Sequence, residues 1–302
     1  MKLRVLLLAL ALISILSCGC AREEPTDPAY VAQVDEWHAG RLERLRSDTG
    51  WLTLVGLHEL KPGLNLVGSA ADANVRLIDK VPSRVGVLEV GELGIVFQAD
   101  AAAGVTAEGV RGPTAVTRLL LKTDAGGDPT VLSCGSLAFH VIDRQGLYFL
   151  RVKDRESPVL RDFQGIDRFP VKAKWRVPAR LEGEPGLLAV PNVLGQTTQE
   201  EFPGLLVFEM DGQEYRVAPT GERGESLFLV FGDETNGSVT YGGGRFLSIE
   251  APDEGDDYVL DFNRATNPPC VFTEFATCPL PTAQNVLPVA IEAGEKVWGG
   301  HH

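Results

Sequence analysis

From Trp51 onward, turn-forming residues cut the chain into short apolar runs about ten positions apart. Runs of that length and spacing are too short for helices, and they must bury their apolar side chains by pairing as strands and stacking as sheets. In the first half the strand candidates are 51–57, 64–67, 74–78, 85–89, 93–98, 116–121, 131–133, 136–142 and 146–153, with turns such as Lys61-Pro-Gly63 and Ala125-Gly-Gly-Asp128. In the second half they are 187–191, 204–210, 213–219, 226–232, 244–250, 257–262 and 287–292. Met210-Asp-Gly-Gln213 reads as a hairpin turn, because Asp-Gly supplies the positive φ that such a turn needs. Thr235-Asn-Gly-Ser238 reads as another. The expected fold class is mainly β. A β-sandwich covers 51–153, a connector 154–186, a second antiparallel β domain (sandwich or small barrel) 187–297, and a tail 298–302. Within the connector, Trp175–Leu181 alternates like one further strand.

One helix precedes this. Asp27-Pro28 is an N-cap followed by proline in the first turn, Tyr30, Val34, Trp37, Leu42 and Leu45 keep helical spacing, and Asp48-Thr-Gly50 ends the run, giving a helix over 29–50. Ahead of it, residues 1–17 read as a lipoprotein signal peptide: Lys2 and Arg4, then the apolar stretch Val5–Leu16, then Ser17-Cys18-Gly19-Cys20. The stretch is too short to span a bilayer. Cys18 is the expected lipidation site, because the aliphatic Ile15 stands three positions before it; Cys20 is the alternative. Residues 18–28 form the tether. This places the body in the periplasm or outside the membrane, anchored at the cell envelope only through the N-terminal lipid.

The net charge of −13 disfavours nucleic acid, which needs clustered Lys and Arg, and docking of the body on anionic lipid. At 44% hydrophobic residues the chain has enough apolar material for packed cores. No metal or cofactor fingerprint appears: there is no Cys-x-x-Cys pair, zinc-hydrolase helix, nucleophile elbow or dinucleotide loop.

The densest signal lies near the C-terminus: Asp261-Phe-Asn-Arg-Ala-Thr-Asn-Pro-Pro-Cys270, Cys278-Pro279, Asn285 and Ile291-Glu-Ala-Gly-Glu-Lys296. Together with Gly50-Trp-Leu-Thr-Leu-Val-Gly-Leu-His-Glu-Leu-Lys-Pro-Gly63, Val190-Pro-Asn-Val-Leu-Gly195 and Tyr241-Gly-Gly-Gly-Arg-Phe246, it resembles the family of domain of unknown function 1684 over about residues 30–297. The chain departs at Thr266 and Phe275, where the resemblance leads one to expect tyrosines. More weakly, Gly68, Asn74, Ser83-Arg84, Gly104-Val-Thr106 and Gly109 resemble a forkhead-associated (FHA) domain, implying an FHA-like sandwich. Ser69, Gly86, Ala103 and Glu108 stand where that family's motif has Arg, His and two Asn, so phosphopeptide binding is disfavoured.

Candidate ligand-binding residues are Tyr241, Arg245, Asp261, Asn263, Asn267, Cys270, Asn285, Glu292 and Lys296. The glycines of 242–244 allow close backbone approach to a ligand, and Arg245 suits a carboxylate or phosphate. Arg245 and Asp261 are expected to face one another across a hairpin from 244 to 262. Cys270 and Cys278 form a candidate disulfide worth about 2–3 kcal/mol. The alternatives are buried free thiols, or Cys270 as a nucleophile, although no histidine lies nearby in sequence. Cys134 reads as a buried apolar residue in a strand. Three functions stay open. One is binding of a small molecule or an envelope protein through the C-terminal domain. Another is a hydrolase or transferase using Asp261, Cys270 or Glu292 in the same region. The third is a purely structural module.

Overall fold

The computed structural model describes residues 25–108 and 112–299. The expected signal peptide, Cys18, Cys20 and Gly109 lie outside the described residues. Among those described, no helix is long and apolar enough to cross a membrane.

The helix forms over Pro28–Arg46, where the Asp27 side chain accepts from the Ala29 N–H at 2.9 Å. It buries Val34, His38 and Leu45. The first β unit then stacks two sheets. The six-stranded one runs Leu54–Glu59, Leu147–Asp154, Leu137–Arg144, Leu132–Cys134, Thr106–Ala107, Thr114–Ala115. The five-stranded one runs Val75–Arg76, Gly63–Gly68, Gly86–Gly91, Gly94–Ala99, Arg118–Leu121. Val67, Leu88, Phe97, Phe139, Val141 and Leu150 fill the space between them. Phe97 meets Phe139 edge-on with ring centroids 6.1 Å apart, so the sheets touch through their aromatic faces. Cys134 is buried in this core, as expected, and desolvation raises its thiol. Gly68 is required by close approach, because a Cβ there would sit 2.1 Å from the Ser83 carbonyl oxygen.

The second unit is built on a four-stranded sheet in the order Gln213–Val217, Leu205–Met210, Arg176–Glu182, Asp257–Asp261. Its central strand 176–182 comes from the stretch that reads as connector, so this sheet takes in residues the sequence places between domains. Two hairpins complete the unit, Gly186–Pro191 with Thr197–Phe202, and Leu227–Phe231 with Arg245–Ile249. No sheet among the described residues closes into a barrel. The Asp211-Gly212 turn forms as expected, with φ of 51° and 76°. Trp175, Leu206, Phe208, Phe231, Leu247, Tyr258 and Phe262 make its core, with the Phe262 ring 6.0 Å from Phe208 and 5.4 Å from Phe231.

Two expectations fail here. Residues 287–292 are not a strand. Their alternation of Leu287, Val289 and Ile291 does turn inward, but their backbone partners are the loop at Gly232, Asp233 and Glu234. The hairpin from 244 to 262 is also absent: strand 245–249 pairs with 227–231, and strand 257–261 pairs with 176–180.

Candidate functional site

Arg245 is fully buried, but its partner is Asp233, whose Oδ2 accepts from Nη2 at 2.6 Å. The same guanidinium donates to the Ala293 carbonyl and, at 2.9 Å, to the Ile291 carbonyl, and it lies 5.0 Å over the Phe231 ring. Asp233 Oδ1 holds the Thr235 hydroxyl (2.6 Å) and N–H (2.8 Å), and Thr235 bonds Thr240 at 2.7 Å. The expected Arg245–Asp261 pair is therefore wrong. With the two strands in different sheets, the arginine takes a carboxylate twelve residues back in its own hairpin loop. The glycine run does not cradle a ligand at Gly244 either. That residue has φ +91°, and a Cβ there would meet Pro281 at 2.6 Å and the Phe231 carbonyl at 2.7 Å.

Asp261 and Asn263 come together under the N-terminal helix. Asp261 Oδ1 accepts from the Tyr30 hydroxyl at 2.7 Å and the Asn263 N–H at 3.2 Å. Asn263 bridges Lys172 by accepting from its N–H and donating to its carbonyl, both at 3.0 Å. Burial, with Asp261 beside it, pushes the Tyr30 phenol well above its ordinary range. Asn267 and Lys296 meet elsewhere: Asn267 Nδ2 donates to the Lys296 carbonyl at 2.7 Å, and its N–H to Glu295 Oε2 at 2.7 Å. Arg41 of the helix grips the same Glu295 at 2.8 Å. The Lys296 ammonium lies over Phe169, 5.1 Å from the centroid. Glu292 is exposed. No hydrogen bond or ion pair among the described residues joins Asp261, Cys270 and Glu292 into one constellation.

Asn285 is buried and spent on backbone, accepting from the Ala218 N–H at 2.7 Å and donating to its carbonyl at 2.9 Å. It forms part of the wall of a cavity of about 410 Å³. That volume falls in the range of small-molecule sites, roughly 300–1,000 Å³. Leu188, Val190, Phe228, Val230 and Leu280 make the walls apolar, with Arg144, Gln145, Asn192, Thr277 and Thr282 contributing polar atoms. One wall is the hairpin tip of the first sandwich, tied down by Gln145 Nε2 to the Thr197 carbonyl at 2.6 Å and by Gln196 Nε2 to the Arg144 carbonyl at 3.2 Å. Asn192, from the Val190–Gly195 motif, accepts from the N–H groups of Leu194 (2.9 Å) and Gln196 (3.1 Å) and so shapes the opposite turn. Arg144 pairs with Asp124 at 2.9 Å. Thr282 Oγ1 is buried and has no partner among the described residues.

Behind Thr277 lies a second group that composition did not reveal. Arg151 is buried, donates to Thr277 Oγ1 at 3.2 Å and stacks 5.4 Å over Trp51, with no carboxylate at ion-pair distance among the described residues. Burial, then the neighbouring Arg144, pushes it down to about 10. Beside it, Cys270 and Cys278 stand as free thiols, and the Cys270 N–H donates to Cys278 Sγ at 3.2 Å. The hydrogen bond from Cys278 brings the Cys270 thiol down to about 7 despite its burial, with a further hydrogen bond from Tyr241. Cys278 moves the opposite way, far up, through the same contact and its own burial. Burial and Cys270 push Tyr241 up to about 12. Of the sequence candidates, then, only Tyr241 and Cys270 share a chemically unusual setting, and only Asn285 borders the cavity.

Residues 161–296 match the model of the family described as "Protein of unknown function (DUF1684)". An uncharacterized protein of Haloarcula marismortui, solved by solution NMR, is 31% identical over 48% of this chain and 83% of its own, with a TM-score of 0.39. A search of curated proteins returned no match. These comparisons do not bear on the forkhead-associated resemblance of the first sandwich. The resemblance to the DUF1684 family therefore holds over residues 161–296 of the chain.

Proposed function

We propose that this is an envelope lipoprotein whose body binds a small, largely apolar molecule carrying one polar group. The observation that carries the binding is the cavity between the Asp143–Gln145 tip and the two hairpins of the second unit. Its walls are aliphatic and aromatic. Most of its polar side chains are spent: Thr198 on the Val190 carbonyl, Thr220 on the Phe228 carbonyl, Arg144 on Asp124. The buried Thr282 hydroxyl has no partner among the described residues, and such an atom favours a ligand that supplies one. The envelope address rests on the sequence of residues 1–20.

The test uses 8-anilinonaphthalene-1-sulfonate, a small apolar probe with one polar head, titrated into the protein and into Leu188→Trp. Leu188 is half-buried on the wall, so the larger ring fills the cavity without cutting the core. Saturable binding by the parent, weakened at least about tenfold in the variant at an unchanged melting temperature, is the expected result. Equal binding by both proteins, or none by the parent, refutes the cavity as the site.

A further inference from the structure

The thiol pair plays no part in the cavity function. We propose that Cys270 and Cys278 form a thiol–disulfide exchange centre for a low-molecular-weight disulfide, with Cys270 as the attacking sulfur and Cys278 as the resolving one.

Four observations support this. The two sulfurs are neighbours across the Pro-rich loop, joined by the bond from the Cys270 N–H to Cys278 Sγ. Their exposure is unequal: Cys270 is partly exposed, whereas Cys278 is 4% exposed. That is the division of labour exchange requires, an accessible nucleophile backed by a shielded partner. Tyr241 hydrogen-bonds Cys270 and stabilises its thiolate. Arg151 is a buried cation without a paired carboxylate among the described residues, and its charge favours a thiolate at Cys278. Because Trp51, Phe246 and Phe275 pack around the pair, the substrate proposed is a small disulfide and not a folded protein's.

The steps balance. The Cys270 thiolate attacks one sulfur of the substrate disulfide; that S–S bond breaks, and one thiolate leaves and takes a proton from solvent. Cys270 is now held in a mixed disulfide and carries no charge. The anion that kept the Cys278 proton in place has gone, while Arg151 remains. Cys278 gives its proton to solvent and its thiolate attacks Cys270 Sγ, the mixed disulfide breaks, and the second substrate thiolate leaves and takes a proton from solvent. The protein dithiol has given up two electrons and two protons, and the substrate disulfide has become two thiols.

The experiment incubates the reduced full chain with oxidised glutathione at pH 7 and maps adducts by peptide mass spectrometry. Cys278→Ser is expected to accumulate glutathione on Cys270, Cys270→Ser to carry none on Cys278, and the parent to pass on to the internal bond. A second measurement needs no cysteine variant. Iodoacetamide labelling of Cys270 in the parent is expected to be about threefold faster at pH 7 than for an ordinary cysteine peptide. The thiolate population rises about fifteenfold over a thiol titrating near 8.5, while intrinsic nucleophilicity falls about fivefold. Tyr241→Phe is expected to slow that labelling about threefold. Glutathione on neither thiol or equally on both, labelling no faster than the peptide, or an internal bond that survives millimolar dithiothreitol in the folded chain overturns the proposal; the last would mark a structural disulfide.

Discussion

Arg245 and Arg151 are both buried, and the protein houses them in opposite ways. Arg245 has a carboxylate, two backbone carbonyls and a phenylalanine ring around it. Arg151 has one threonine hydroxyl and a tryptophan face. The first guanidinium ties the 233–240 loop to the 291–293 segment and has little capacity for anything else. The second carries a desolvated charge beside two thiols and the cavity wall at Thr277. A buried charge paired with a carboxylate signals architecture; one without such a partner marks where chemistry or binding is to be sought.

Replacing Arg245 by Met should have the largest effect. It strands Asp233 and the carbonyls of Ile291 and Ala293, and a loss of about 3–5 kcal/mol is expected in urea unfolding. In a double-mutant cycle with Asp233→Asn the losses should be strongly non-additive. Additivity would mean the pair is not the brace described here.

Asn285→Ala tests the same architectural class without a formal charge. It leaves both Ala218 backbone groups unpaired in a buried place, and a cost of roughly 1–3 kcal/mol is expected. A melting temperature indistinguishable from the parent's would show that water replaces the amide.

Arg151→Met should cost little, within about 1 kcal/mol of the parent in either direction, because no buried anion loses its partner. Thr277 Oγ1 keeps its contact with Arg144 at 3.4 Å. A loss as large as that for Arg245 would erase the contrast between the two sites.

The effect smallest at pH 7, felt only as pH falls, is that of His140. His140 lies opposite Arg151 in the sheet, and burial, then Arg151, brings it down to about 4. Between that value and 6.5 the unfolded chain binds more protons than the folded one. The stabilising contribution is therefore full above pH 6.5 and is lost as pH falls through about 4. His140→Gln should flatten the melting-temperature profile across that window relative to the parent. Parallel profiles would place the titration elsewhere.

Local chemistry was legible in the sequence, and long-range pairing was not. Asp27-Pro28 announced the helix and Asp211-Gly212 the hairpin, because each signal acts within a few residues. The partner of strand 257–261 was not visible: it lies some 80 residues back, at 176–180, and mutual burial of faces such as Tyr258, Leu260, Val177 and Ala179 selects it. The same limit misassigned Arg245. Its neighbour Asp233 sits in an irregular loop that periodicity does not describe. The alternation at 287, 289 and 291 was real, yet it reports burial alone and not the presence of a second strand. The cavity gathers residues from Asp143 to Asn285, and Arg151 looks like any strand arginine until Trp51 and Thr277 surround it.

The clasp between the two ends of the chain bears on how the protein comes into being. Tyr30 waits for Asp261 and Asn263, and Arg41 waits for Glu295 and the Asn267 carbonyl, partners more than 220 residues later. Contacts so distant close late, after the entropy of the intervening chain has been spent. During synthesis the helix exists before the surface that receives it, and its apolar face has nowhere to go until nearly the whole polypeptide has emerged. Docking of the helix is thereby deferred until those late partners have been made, however early the first sandwich closes on its own core.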